Sequence, residues 1–274
     1  MSIIEEQDRF LKKSVIPTLT SKQKTSLAEL ATTYRDSRDK MIYIGTATRN
    51  DYSSGTNVFD TNNKIKINCS LFVQNVWMGR DISDYLKTSE SYSPNISKVF
   101  DWGYYFNFKH EDIVNKSKDT DNFPKKYLKG TGMYAYDMAF ELYQMGCEIP
   151  FSEADIGDIV FCRAKYVYPD TTITDPINDN YYALAQAFRN IDHVAIITKK
   201  STNSSGVTYI TYMEGTNAVL NGTDIPISPC STHSSWPLAD RRRAVEIERT
   251  ICMVARHPAA FGQASNVPNI ITAI

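Results

Sequence analysis

Residues 68–79 have the sequence Asn-Cys-Ser-Leu-Phe-Val-Gln-Asn-Val-Trp-Met-Gly, which is typical of a short buried helix. Asn68 is a favoured N-cap residue, and Gly79 is a common kind of C-terminal stop. The apolar residues between them share one helical face: Cys69, Phe72, Val73, Val76 and Trp77. Cys69 therefore lies in the first turn, where free backbone N–H groups and the helix dipole favour a thiolate. We expect its thiol to have a low pKa.

The composition is that of a folded globular protein. The chain has 274 residues, of which 42% are hydrophobic and 22% are charged. Thirty basic and 31 acidic residues leave a formal charge of -1, without the basic excess that is typical of nucleic-acid binding. The five cysteines form no CxxC pair and no zinc-type spacing, so free thiols are expected at positions 69, 147, 162, 230 and 252.

The first 17 residues are charged throughout and contain no apolar core of a signal peptide. No run approaches the roughly 18 apolar residues of a membrane span. We therefore expect neither classical secretion nor membrane insertion.

The remaining patterns predict an α+β fold. Apolar residues at helical spacing predict helices from Ser21 to about Lys40 and from Met133 to Met145. A compact apolar run after Gly157-Asp158 predicts a buried strand that ends near Cys162. Two β-branched segments, 192–198 and 207–214, flank a polar stretch and predict a hairpin.

Other segments show no sustained periodic spacing of apolar residues. Residues 44–66, 80–130 and 163–190 are predicted as loops, the last two as inserted lid segments beside a cleft. Residues 215–240 are turn-rich, and Val245–Val254 is a candidate closing strand. The predicted organisation is an N-terminal segment (1–29), one domain (30–257) and a loose C-terminal tail (258–274).

The hairpin brings a histidine and a carboxylate together. If its loop is centred between Asn203 and Ser204, His193 lies directly opposite Glu214, and the two side chains share a face. Glu214 can then orient one ring nitrogen of His193 and leave the other for a thiol. A register slip of one residue would move Glu214 to the other face and destroy the arrangement.

Three short blocks of the sequence form one pattern in chain order: Asn68-Cys69-Ser70 at the start of a helix, Gly157-Asp158 at the start of a strand, and His193-Val-Ala-Ile-Ile at the start of the next strand. In this order the three blocks resemble the papain-like cell-wall amidohydrolases of the NlpC and CHAP types. That resemblance implies N-terminal helices and a nucleophile helix packed on a central antiparallel sheet. It covers about residues 30–255.

The resemblance also implies roles for individual residues. Cys69 matches the nucleophile, His193 matches the general base, and Glu214 resembles the acidic third residue of the CHAP type. Asn217 is a fallback for orienting the histidine, and Asn68 supports the nucleophile as its helix cap. The family usually has Asp-Cys-Ser-Gly-Phe, so Asn68 and Leu71 are departures that change helix packing.

The implied activity is hydrolysis of an amide in peptidoglycan stem peptides or cross-bridges, through a thioester and without metal or cofactor. Because no signal peptide is evident, delivery on a phage particle, with other tail proteins as partners, or release by lysis would explain access to the wall; otherwise the protein stays cytoplasmic. Two alternatives remain. One is a structural or binding domain of such an assembly with a degenerate site, and the other is acyl transfer to a different amine.

Single residues and clusters outside these blocks are expected to be structural. Each cysteine other than Cys69 is expected to be an inert core residue, and unequal thiol reactivity would separate the enzyme from a degenerate domain. His110, His233 and His257 have no matching partner and are predicted to be structural or exposed. Asp240–Arg243 is predicted as a solvated face rather than an anion site, and the aromatic cluster 102–106 as packing rather than a sugar groove.

Overall fold

The computed structural model describes residues 15–44, 60–80, 134–164, 191–216, 219–227 and 249–262. Within these ranges the fold is α+β, with three α-helices, a parallel strand pair and a six-stranded antiparallel sheet. The predicted class is thus confirmed. The predicted lid segments 80–130 and 163–190 lie almost wholly outside the described residues.

The helices have distinct starts. Helix α1 (Ser21–Asp36) begins with a capping box, in which Thr20 accepts from the backbone of Gln23 and the Gln23 side chain accepts from the backbone of Thr20. Helix α2 (Cys69–Trp77) begins at the predicted cap, Asn68. Helix α3 (Ala135–Gln144) follows Tyr134, and Gly146 after it has a positive φ of 71°.

The strand bounds are β1 (Met41–Tyr43), β2 (Ile65–Ile67), β3 (Glu148–Ile149), β4 (Ile159–Ala164), β5 (Ile191–Thr202), β6 (Thr208–Thr216), β7 (Val219–Ile227) and β8 (Arg249–Ala255). Strands β1 and β2 pair in parallel. The large sheet has the order β3-β8-β4-β5-β6-β7, so the predicted hairpin β5–β6 lies inside it.

The sheet is buried on both faces along β8, β4, β5 and β6, because residues of each of these strands enter two different apolar clusters. Ile159 and Phe161 of β4 pack with the helices. Val160 and Cys162, their neighbours, belong to the second cluster on the opposite face. Helix α2 lies against the central strands β5 and β6. This contact brings the start of α2 close to the strands that carry His193 and Glu214.

The turn before β4 ties three elements together. Gly157 has φ +89°, and a Cβ there would come within 2.8 Å of Leu27 Cδ1 of helix α1. Its carbonyl accepts a 2.8 Å hydrogen bond from the indole nitrogen of Trp77, at the end of α2. The adjacent Asp158 binds Arg256, just after β8. The Gly-Asp motif is therefore a packing centre, and its positive φ favours glycine there, whereas Leu27 Cδ1 is the end of a side chain that could move.

Two boundary predictions need correction. Residues 219–227 are not turn-rich but form strand β7, which pairs along the whole length of β6. Strand β8 is described from Arg249 to Ala255, and the first part of the predicted closing strand, residues 245–248, lies outside the described residues. Part of the predicted loose tail, Pro258–Phe261, is a 3-10 turn, and Pro258 is buried. In both corrected cases tertiary pairing or packing orders a segment whose local sequence has no clear period.

Helix α1 runs across residue 30, the predicted start of the domain, and its Leu27 is buried in the core. In the part of the chain that the structure describes, no helix is both long and apolar enough to cross a bilayer.

Candidate active site

Cys69 is the first residue of helix α2 and is 8% exposed. Asn68, the cap, accepts a 2.9 Å hydrogen bond on Oδ1 from the backbone N–H of Leu71. Its backbone carbonyl accepts from Phe72 N at 3.0 Å. A cap of this kind stabilises a helix by about 1 kcal/mol. The cap therefore fixes the backbone that carries the sulfur, as the sequence predicts.

His193 and Glu214 form a buried pair. Nε2 of His193 lies 2.6 Å from Oε2 of Glu214, and the two side chains are 2% and 0% exposed. Since a carboxylate only accepts, the proton of this hydrogen bond is on Nε2. The pair leaves Nδ1 as the nitrogen available to a second partner.

The second partner of His193 is the sulfur of Cys69. Burial by itself would raise the pKa of the Cys69 thiol, but the hydrogen bond and the charge of His193 lower it, and the net pKa is below its ordinary value. Smaller contributions come from Ser70, whose Oγ is 3.9 Å from the sulfur, and from the backbone of Val194. The structure thus connects Cys69, His193 and Glu214 in a continuous chain. It can hold a thiolate next to an imidazolium.

The register that creates this pair differs from the predicted one. Ile196 pairs with Met213, and continuing by one residue puts Glu214 opposite Ala195, not opposite His193. His193 and Glu214 are therefore diagonal neighbours on the same face, a geometry that long side chains can bridge. The prediction of a direct cross-strand pair is wrong, whereas the shared face is correct.

Two local features explain the difference. The loop is centred on Ser205, because Thr202 pairs with Thr208, and Asn203 accepts from the backbone N–H groups of Ser205 and Val207. With that loop and a regular ladder, Glu214 would lie on the face of the sheet away from His193. A bulge at Thr198 shifts the register by one further residue and so returns Glu214 to the face that carries His193. The hairpin brings the site together only through this bulge.

The far end of helix α2 is also fixed. His257 is fully buried; its Nε2 donates to the backbone carbonyl of Trp77 at 3.0 Å, and its Nδ1 accepts from Ala259 N at 3.1 Å. Burial lowers the pKa of His257 to about 4, although the bond to Trp77 opposes this shift. His257 is accordingly structural, as predicted, and it serves the helix that carries Cys69.

Other predicted residues are either buried away from this chain of contacts or outside the described residues. Cys147 and Cys162 are fully buried core residues and form no disulfide, as expected. Asn217, Cys230, His110 and His233 lie outside the described residues, as do the basic run 240–243 and the aromatic cluster 102–106. The role of Asn217 thus stays a prediction. In the described ranges, no group of three or more His, Cys, Asp or Glu residues is arranged to hold a metal ion.

The sequence did not predict two features: the contact of Ser70 with the Cys69 sulfur, and the ion pair of Asp158 with Arg256 in the surrounding fold. Ser70 directly follows Cys69, so its proximity is visible in the motif itself. Arg256 has no local signal, because its partner is 98 positions away. No family model matches the chain, and no curated protein or solved structure matches it either.

Proposed function

We propose that this protein is a cysteine peptidase or amidase, with Cys69 as nucleophile, His193 as general base and acid, and Glu214 as the group that orients His193. The observation that carries the proposal is the buried chain from Glu214 through His193 to a thiol whose pKa is lowered. A nucleophile, a base and an orienting group in contact are what covalent acyl transfer requires.

The chemistry follows from these positions. The thiolate of Cys69 attacks an amide carbonyl, and backbone N–H groups at the start of α2 stabilise the oxyanion. His193 gives its proton to the leaving amine, which leaves a thioester on Cys69. A water molecule, deprotonated by His193, then hydrolyses the thioester to a carboxylic acid and restores the thiol.

We further propose a papain-like arrangement and a peptidoglycan peptide as substrate. The support is the resemblance of three blocks to NlpC-type and CHAP-type enzymes, together with a nucleophile helix packed on antiparallel strands. Glu214, rather than a second histidine, favours the CHAP-type version of the site. Delivery by a virion or by lysis, with phage tail proteins as partners, belongs to the same proposal.

The test is digestion of purified peptidoglycan from several bacteria, with released amines and fragments followed by mass spectrometry. Wild type is compared with Cys69→Ala and with Cys147→Ala, a matched control that removes a buried thiol outside the site. We expect cleavage by wild type and by Cys147→Ala but not by Cys69→Ala. A new carboxylate at the cut bond identifies hydrolysis, whereas a new amide identifies acyl transfer.

The alternative is a structural domain with a degenerate site. It predicts that the wild-type protein cleaves no peptidoglycan and that Cys69 alkylates near neutral pH no faster than an ordinary thiol. That pair of results would contradict the enzyme proposal.

A further inference from the structure

We propose that Gly215 is a positioning residue for the nucleophile: its missing side chain lets strand β6 lie directly against the backbone of Asn68 and Cys69. This contact fixes the sulfur of Cys69 relative to His193. The inference rests on the proposed function of Cys69 and adds a residue to its machinery.

The contact is tight and consists of backbone atoms. A Cβ on Gly215 would lie 3.1 Å from the carbonyl oxygen of Asn68, 3.2 Å from its carbonyl carbon and 3.3 Å from Cα of Cys69. A side chain could rotate away from a new methyl group, but these atoms cannot. Their position is held by the cap of helix α2, through the hydrogen bonds of Asn68 to Leu71 and Phe72.

Space, and not backbone conformation, explains the glycine. Positive φ occurs at five described glycines, Gly79, Gly146, Gly157, Gly206 and Gly262, and Gly215 is not one of them. An alanine could therefore adopt the backbone torsions of position 215 without strain. Its Cβ would, however, be closer to the start of α2 than ordinary van der Waals contact allows, so the backbone of Asn68 and Cys69 would have to shift by a few tenths of an ångström.

The consequence for the site comes from the alternation of side chains along a strand. Glu214 is directed to His193, and the next residue, Gly215, is directed to Asn68 and Cys69. Two consecutive residues of β6 thus hold the orienting carboxylate and the nucleophile at a fixed separation. A methyl group at 215 would push the helix start away while Glu214 and His193 stay together on the hairpin. The hydrogen bond between His193 and the sulfur would lengthen.

The experiment measures the ionisation of Cys69 through its rate of alkylation by iodoacetamide between pH 5 and 9. The variant is Gly215→Ala, and the matched control is Gly206→Ala in the hairpin loop. Gly206 has φ +77° and nothing within 4 Å of its would-be Cβ, so its replacement strains the same hairpin without touching the site. Thermal unfolding of both variants is recorded in parallel.

We expect Gly215→Ala to alkylate about tenfold more slowly than wild type at pH 6.5, with its rate profile displaced to higher pH by about one unit. In Gly206→Ala the alkylation rate of Cys69 is expected to stay within about twofold of the wild-type rate, however much the substitution lowers the stability of the protein. A rate for Gly215→Ala within twofold of wild type would overturn the inference. So would an equal loss in Gly206→Ala, because general destabilisation would then be the cause.

A second measurement needs no substitution and so does not depend on folding of the variant. In the wild-type protein, nuclear Overhauser effects are expected between the Hα protons of Gly215 and Hα of Cys69; their absence would overturn the contact itself. Failure of the proposed function looks different. In that case wild-type Cys69 shows no enhanced alkylation, whatever residue occupies position 215.

Discussion

Arg256 binds Asp158 through two hydrogen bonds, Nε to Oδ1 at 2.9 Å and Nη2 to Oδ2 at 2.8 Å. Both residues are buried, with exposures of 2% and 0%. The guanidinium also donates to the backbone carbonyls of Pro17 and Glu153. This ion pair joins the Gly-Asp turn, the segment before α1 and the end of β8. It therefore supports the frame on which the candidate site is built.

Replacing Arg256 by Met should lower the free energy of unfolding by about 3–5 kcal/mol, because Asp158 would be left as an unpaired buried carboxylate. The control is Lys24→Met, which breaks the partly exposed pair of Lys24 with Asp155 in the same turn and should cost about 0–1 kcal/mol. Urea unfolding of both variants measures the difference. Equal losses would contradict the role given to Arg256.

Glu214→Gln keeps the shape of the side chain but removes its charge beside His193. Without that charge the imidazolium is less favoured, so the pKa of the Cys69 thiol should rise and its alkylation near pH 6.5 should slow at least tenfold, by an order-of-magnitude argument. The pH profile of alkylation measures this. Asp192→Asn is a matched control, because Asp192 is an exposed acid on the same strand as His193. The same slowing in both variants would argue against a specific pair.

Deleting Thr198 should leave the site intact. Thr198 is the unpaired residue of the bulge, between the pairs Ile197–Tyr212 and Lys199–Thr211, so its loss makes these pairs consecutive and keeps Glu214 on the face of His193. Inserting one alanine directly before Glu214 is the contrasting variant, because it moves Glu214 to the other face if the loop pairing is kept. We expect fast alkylation of Cys69 to survive the deletion and to be lost after the insertion. Fast alkylation in the insertion variant would show that the site does not depend on this register.

The burial of His257 predicts a pH-dependent stability. Its pKa is about 4 in the folded protein and about 6.5 in the unfolded chain, so between these values the unfolded state binds more protons. The stabilising contribution is complete above pH 6.5 and falls by about 3 kcal/mol as the pH decreases to 4. Urea unfolding at several pH values, for wild type and His257→Gln, isolates this effect.

The comparison with His257→Gln is needed because the titration of Asp158 changes the stability with pH in the opposite direction to that of His257. Burial raises the pKa of Asp158 to about 6, against the lowering effect of Arg256, so its contribution to stability decreases as the pH rises from about 4 to 6. Both wild type and His257→Gln contain Asp158, and it cancels in their difference. If that difference has no slope between pH 4 and 6.5, His257 is not the buried neutral histidine described.

The local sequence correctly predicted the helix start and the hairpin that carry the candidate site residues. The cap at Asn68 and the apolar face behind it placed Cys69 at a helix start, because capping and helical periodicity are short-range effects. The hairpin was also predictable from β-branched segments around a polar loop. Its register was not, since a five-residue turn and a bulge at Thr198 each depend on pairing energies that the pattern does not reveal.

By itself, the sequence determined the α+β class, the helix that begins at Cys69 and the hairpin that carries His193 and Glu214. These elements follow from contacts between residues a few positions apart. Only the tertiary structure decided that Arg256 satisfies Asp158, that residues 219–227 join the sheet, and that Gly215 lies against the helix start. Such contacts join distant parts of the chain, and their energies depend on burial and packing that exist only once the fold has formed.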